Sequence, residues 1–152
     1  MAEAADHQGS YHQEMHISWE EFHRDARALA EMLKDREWKG MLAITRGGLG
    51  PATVLSRELD ITHVDTICIT SYDHQDQGEL QLLKSISLED GGEGWLVVDD
   101  LVDTGKTIQL VKEILPQAHV AALYAKPKGE DMADTYLTRV DQKCWVFFPW
   151  EE

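Results

Sequence analysis

Asp99, Asp100 and Asp103, with Thr104 and Thr107, fall within nine residues, directly after the apolar run Trp95-Leu-Val-Val98. A strand ending this way brings carboxylates to a sheet edge and opens a small glycine-containing turn. Carboxylates accept hydrogen bonds from a sugar diol, while a nest of amides leading into a helix N-terminus holds a phosphate. The residue types therefore suit a sugar phosphate. Thr104-Gly-Lys-Thr107 superficially matches the end of a nucleotide-triphosphate loop, but that loop needs glycine where Asp100 stands. A carboxylate there would repel a polyphosphate.

The elements that must position these groups can be read along the chain. Ser18-Trp-Glu-Glu21 forms a capping box, and Phe22, Ala26, Leu29, Ala30 and Leu33 repeat at helical spacing. The spacing predicts an amphipathic helix to about Lys34. Met41–Ile44 reads as a buried strand, Arg46–Gly50 as a tight loop, and Pro51 as the first turn of a helix to about Leu59. Further strands are expected over 63–72, 80–86, 95–99, 119–125 and 144–148, with a turn at 89–94 and a helix over 107–115. Residues 1–16 are polar and expected to be a flexible N-terminal segment. Strands alternating with helices predict an α/β fold with a mostly parallel sheet, whose ligands gather beyond the carboxyl ends of the strands. The acidic loop, the Arg46 loop and Lys126 all lie at such ends.

At 152 residues the chain is long enough for one domain with a proper core. No apolar run reaches the roughly 18 residues of a membrane span, and no signal peptide is apparent. Cys68 and Cys144 sit in apolar strand-like runs, which predicts free thiols and a reducing, cytoplasmic setting. The formal net charge of −14 argues against nucleic acid and anionic lipid as partners. It also means that a phosphorylated substrate must meet local positive charge or a divalent cation. The seven histidines are scattered without ligand spacing, which argues against zinc.

Asp99-Asp-Leu-Val-Asp-Thr-Gly-Lys-Thr107 resembles the signature of the type I phosphoribosyltransferases, which bind 5-phosphoribosyl 1-pyrophosphate (PRPP). Trp38–Leu49, Arg57-Glu-Leu59, His63–Ile69, Ser71-Tyr-Asp-His74, Tyr124-Ala-Lys-Pro127 and Pro149-Trp150 extend the likeness to the bacterial xanthine-guanine enzymes, over about residues 17–151. The resemblance implies a single phosphoribosyltransferase domain over 17–152: a central sheet flanked by helices, with a small hood or lid at about 72–86. It implies Mg²⁺-dependent transfer of the 5-phosphoribosyl group to N9 of xanthine, guanine or, less well, hypoxanthine, in purine salvage. A homotetramer is implied too. Loose inner-membrane attachment, known in the family, gains no support from the charge.

The family's roles fall on particular residues. Asp99 and Asp100 would hold the ribose hydroxyls and stabilise positive charge on the sugar, Asp100 also meeting Mg²⁺. Asp103 is the candidate general base for purine N7. Asp103, Thr104, Gly105, Lys106 and Thr107 would cradle the 5′-phosphate. Arg46 and Gly47 resemble the pyrophosphate loop, which in the family carries a non-proline cis peptide. Lys126 would donate to the purine 6-oxo group, Trp145 would stack on the base, and the Val146 carbonyl would face its 2-substituent.

There are departures: Gly78 replaces an arginine, Lys106 a glycine, Phe147 a glutamate and Glu151 an aspartate. Phe147 makes altered guanine–xanthine discrimination an expectation. Two alternatives keep the fold: a hypoxanthine-guanine enzyme of different base preference, and a PRPP-sensing regulator that binds nucleic acid. The second would need a basic face, and 14 Lys and Arg against 28 Asp and Glu offer none.

Overall fold

Leu96, Val97 and Val98 have no solvent exposure, as a central parallel strand covered on both faces requires. The computed structural model describes residues 13–71 and 79–152. In chain order these form β1 (Gln13–His16), α1 (Trp19–Leu33), β2 (Gly40–Thr45), α2 (Leu49–Glu58), β3 (Val64–Ser71) and β4 (Leu80–Lys84). After them come β5 (Trp95–Val102), α3 (Lys106–Ile114), β6 (His119–Ala125), β7 (Thr135–Arg139) and β8 (Cys144–Phe147). Short 3₁₀ turns occupy Glu89–Gly92, Glu130–Met132 and Pro149–Glu151. The main sheet has the order β4-β3-β2-β5-β6-β7, parallel except for the β3–β4 hairpin. The expected α/β fold, a mostly parallel sheet with flanking helices, is what the chain adopts.

Strand alternation sorts the core into two halves. Met41, Ala43, Leu96, Val98, Ala121 and Leu123 face α1, whose buried stripe is the expected set Phe22, Ala26, Leu29, Ala30 and Leu33. Leu42, Ile44, Val97, Val120 and Ala122 pack with Ile108 and Val111 of α3. The α1 N-terminus is fixed as its sequence indicates, with the Glu21 amide donating to the Ser18 hydroxyl at 3.1 Å.

Three features differ from the sequence reading. Residues 13–16, expected to be loose, form β1, parallel to β8 in a separate two-stranded sheet; residues 1–12 lie outside the described residues. Gln-Glu-Met-His carries no alternation, so only its partner makes it a strand. Consequently β8 belongs to this small sheet and not to the main one. Secondly, β7 was not anticipated: it is a short edge strand, half exposed and flanked by charge, whose Thr and Tyr residues carry a weak signal. Thirdly, β5 runs to Val102, so Asp99 and Asp100 lie within the strand, because β6 continues to pair with it through Val102–Ala125. Of the expected lid, only 79–86 are described. Leu80–Lys84 form the hairpin strand, while 72–78, including Gly78, lie outside the described residues.

Candidate active site

Asp99 and Asp100 are neighbours on one strand, and their carboxyl groups lie within hydrogen-bonding reach of each other. Asp99 is 9% exposed, and its Oδ1 accepts the Asp100 amide at 2.9 Å. Burial, then the like charge of Asp100, holds the Asp99 carboxyl well above the ordinary carboxylate range. Burial also pushes Asp100 upward. Two poorly solvated acids side by side form a site prepared for positive charge.

The Arg46 loop lies against Asp100. β2 ends in a cis peptide between Thr45 and Arg46, as the resemblance implied, and the chain turns directly into α2. A Cβ on Gly47 would fall 2.6 Å from Asp100 Oδ1, and one on Gly48 would fall 2.3 Å from the Val98 carbonyl. Glycine is required at both positions because the loop touches β5 there. A cavity of about 1230 Å³ opens here, lined among others by Arg46, Gly47, Ser71, Asp100, Trp150 and Glu151. Glu151 is a further acid at this site, and burial pushes its carboxyl upward.

On the other side of β5 the chain forms the turn 103–105. Gly105 has φ +88, a left-handed conformation that favours glycine, and it starts α3 without a side-chain cap. The first amides of α3 are therefore not taken by a capping side chain and can meet an anion. Thr104 and Lys106 are exposed and Thr107 half-buried, so their polar groups border the same turn.

Lys126, at the end of β6, is only 2% exposed, and its Nζ lies 3.4 Å from Asp103 Oδ2. The expectation of a lysine facing a ligand thus meets a buried ammonium beside a half-exposed carboxylate. Gln142, which the sequence reading missed, donates from Nε2 to Asp103 Oδ1 at 2.7 Å. No motif flags a lone glutamine in a connecting loop, and its partner lies 39 residues away. Gly129 was missed as well. A Cβ there would lie 2.6 Å from the Asp103 carbonyl and 2.7 Å from the Gly105 nitrogen, so the turn after Lys126 packs directly on the 103–105 turn.

β8 supplies Trp145 and Phe147 on one face, with ring centroids 6.0 Å apart. Trp145 is half-buried and the Val146 side chain is buried. The Phe147 carbonyl accepts the Ile17 amide across the small sheet. Strand alternation then turns the Val146 carbonyl to the free edge of that sheet. Phe147 stacks on His16 at 4.6 Å and 9°, a contact that exists only because β1 is a strand.

Among the described residues there is no group of three or more His, Cys, Asp or Glu placed to hold a metal. Mg²⁺ is usually held by one or two carboxylates and by substrate oxygens rather than by a protein cage. The adjacent acids on β5, destabilised by burial, have the chemistry such a cation needs.

Residues 18–152 match the family model described as phosphoribosyl transferase domain. The chain is 55% identical over 141 residues to the xanthine-guanine phosphoribosyltransferase of Chromohalobacter salexigens, covering 93% of this chain and 86% of that protein. It is 52% identical over 137 residues to the protein of the same name from Desulfotalea psychrophila, covering 89% and 84%. Among solved structures, the purine phosphoribosyltransferase of Pyrococcus horikoshii superposes with a TM-score of 0.76 at 31% identity, over 91% of this chain and 95% of that one.

Proposed function

The chain belongs to the phosphoribosyl transferase family, and we propose that it is a xanthine-guanine phosphoribosyltransferase of purine salvage that uses Mg²⁺ and PRPP. Its likeness to two xanthine-guanine enzymes over most of their length supports that reading. The observation that carries the site assignment is the meeting of Asp103 with Lys126 beside the phosphate turn. Their closeness supports a reading in which one purine ring engages both, Asp103 as proton acceptor and Lys126 as cationic donor.

In this reading, N9 of a 6-oxopurine forms a bond to C1′ of PRPP as the bond from C1′ to the pyrophosphate oxygen breaks. Positive charge develops on the ribosyl ring between those events. Asp99 and Asp100 stabilise it, and their burial makes the interaction stronger than it would be in water. The turn 103–107 holds the 5′-phosphate, and Arg46 with the amide of Gly47 meets the pyrophosphate. Asp100 would hold Mg²⁺, which would supply charge neutralisation for the leaving pyrophosphate.

Asp103 accepts the N7 proton released as the ring becomes the nucleotide base. Lys126 donates to the 6-oxo oxygen; a 6-amino group would present donor to donor, which disfavours adenine. Trp145 stacks on the ring, and the Val146 carbonyl faces the 2-position. The site is expected to work in an oligomer, with the chain's exposed Trp19 and Leu49 beside the cavity as candidate contact residues.

A spectrophotometric assay with PRPP, Mg²⁺ and each of xanthine, guanine, hypoxanthine and adenine tests the proposal. Turnover of xanthine and guanine with no turnover of adenine is expected. Efficient use of hypoxanthine and guanine without xanthine would replace it with the hypoxanthine-guanine alternative.

A further inference from the structure

We propose that Gln142 is a positioning residue of the purine site, acting through Asp103, and that it fixes the phosphate turn and the Lys126 turn relative to each other. The inference rests on the reading of Asp103 as the proton acceptor.

Both ends of the Gln142 amide are engaged. Oε1 accepts the Lys128 backbone amide at 2.9 Å, and Nε2 donates to Asp103 Oδ1 at 2.7 Å. A backbone N–H can only donate, so Lys128 must face the amide oxygen, and the NH₂ group is left pointing at Asp103. The side-chain amide has a single orientation that satisfies both partners.

This strut joins segments far apart in sequence. Asp103 follows β5, Lys128 follows β6, and Gln142 sits between β7 and β8, two residues before Cys144. The first two segments already touch through Gly129, which has no room for a Cβ against the Asp103 carbonyl. Contact alone does not orient a carboxylate, which can rotate about its own bonds. With Gln142 on Oδ1 and Lys126 on the Oδ2 side, the Asp103 carboxylate is held in one plane. A proton acceptor held in that way loses less freedom in the transition state. Since β8 begins just after Gln142, the same side chain also ties the Trp145 strand to the acceptor, so stacking and proton acceptance share one anchor.

The test is a double-mutant cycle with Gln142→Met and Asp103→Asn. Gln142→Met keeps length and removes both hydrogen bonds; Gln142→Glu keeps the acceptor for Lys128 but opposes Asp103 with a second carboxylate. At saturating PRPP, kcat/KM for guanine should fall roughly 10–100-fold in Gln142→Met, the size of a misplaced catalytic group. KM for PRPP should rise by less than kcat/KM for guanine falls, because Gly129 still packs the Lys126 turn on the phosphate turn when the Gln142 amide is removed. Gln142→Glu should lose at least as much as Gln142→Met although its bond to Lys128 survives. The double variant should be no worse than Asp103→Asn alone. Losses that multiply in the double variant, or a Gln142→Met enzyme within two-fold of wild type while Asp103→Asn is crippled, would overturn the inference and leave the role of Asp103 standing. Full activity in Asp103→Asn would overturn both. Should Gln142→Met fail to fold, the cycle is run with Gln142→Glu.

Discussion

Gly47 leaves a space that the carboxylate of Asp100 fills: a Cβ on the glycine would lie 2.6 Å from Oδ1. The loop proposed to meet pyrophosphate and the acid proposed to meet Mg²⁺ are therefore in contact, with no slack between them. Gly47→Ala must displace one or the other. The expected result is a fall of roughly 100-fold in kcat/KM for PRPP with little change in Tm, since the loop is at the surface. A normal kcat/KM for PRPP in this variant would show that the contact is incidental.

Asp99 presents a cost to folding that its role would explain. Its carboxyl is raised above the ordinary value of 3.8 by burial and by Asp100, so the folded chain holds this proton more tightly than the unfolded chain. Stability then falls as pH rises from about that value through the raised folded pKa, and the loss persists at neutral pH. Asp99→Asn removes the titration and keeps an oxygen to accept the Asp100 amide. At pH 7, without ligands, it should raise Tm by roughly 2–4 °C, the shift expected for about 1 kcal/mol in a chain of this size. At acidic pH the difference should shrink, and kcat/KM should drop. Thermal melts across pH decide it: a variant less stable than wild type at pH 7 would refute the argument.

Much of this site was legible in the sequence because its parts are local. The acids, the phosphate turn and the Arg46 loop are contiguous runs whose residue types state their chemistry, and the stripe of α1 follows from spacing alone. The contacts between runs were not legible. β1 has no pattern of its own and exists through β8. Gln142 and Gly129 matter only because β6, β7 and the phosphate turn converge. The extension of β5 past Asp99 depends on β6 keeping register to Ala125. Propensity cannot report any of these, since each is decided by a partner distant in the chain.

Lys126 should be more sensitive than its position at a strand end suggests. At 2% exposure its place is not readily taken by water, and the charge-assisted bond proposed to the 6-oxo group would contribute about 1.5–3 kcal/mol. Lys126→Met, which keeps the apolar stem, should lower kcat/KM for xanthine, guanine and hypoxanthine alike by roughly 10–150-fold. KM for PRPP should hardly move. Equal loss for PRPP and purine would point to a general collapse of the site rather than a missing donor.

Phe147 occupies the face of β8 shared with Trp145 and is stacked on His16. An acidic side chain there would offer an acceptor near the 2-position, which phenylalanine cannot. Phe147→Glu should therefore shift the ratio of kcat/KM for guanine and xanthine by several-fold, about 1 kcal/mol for one hydrogen bond, towards guanine and its 2-amino group. An unchanged ratio would remove Phe147 from the base pocket.

The last prediction concerns Trp150, which ties the end of the chain to the Arg46 loop. Its ring stacks on Phe148 at 4.9 Å and 3° and meets Phe22 edge-on at 5.0 Å. It also closes on Gly50, where a Cβ would lie 2.6 Å from Cζ3. Gly50 is in the first turn of α2, four residues after Arg46, so the indole backs the helix that the loop enters. Trp150→Ala should lower stability by about 3 kcal/mol, the lower end for a large aromatic because the ring is only half-buried. It should also raise KM for PRPP while leaving KM for the purine unchanged. Gly50→Ala tests the same contact from the other side: it should reproduce the PRPP effect, because its methyl group displaces the indole. If Gly50→Ala binds PRPP normally, the indole supports the fold without supporting the loop.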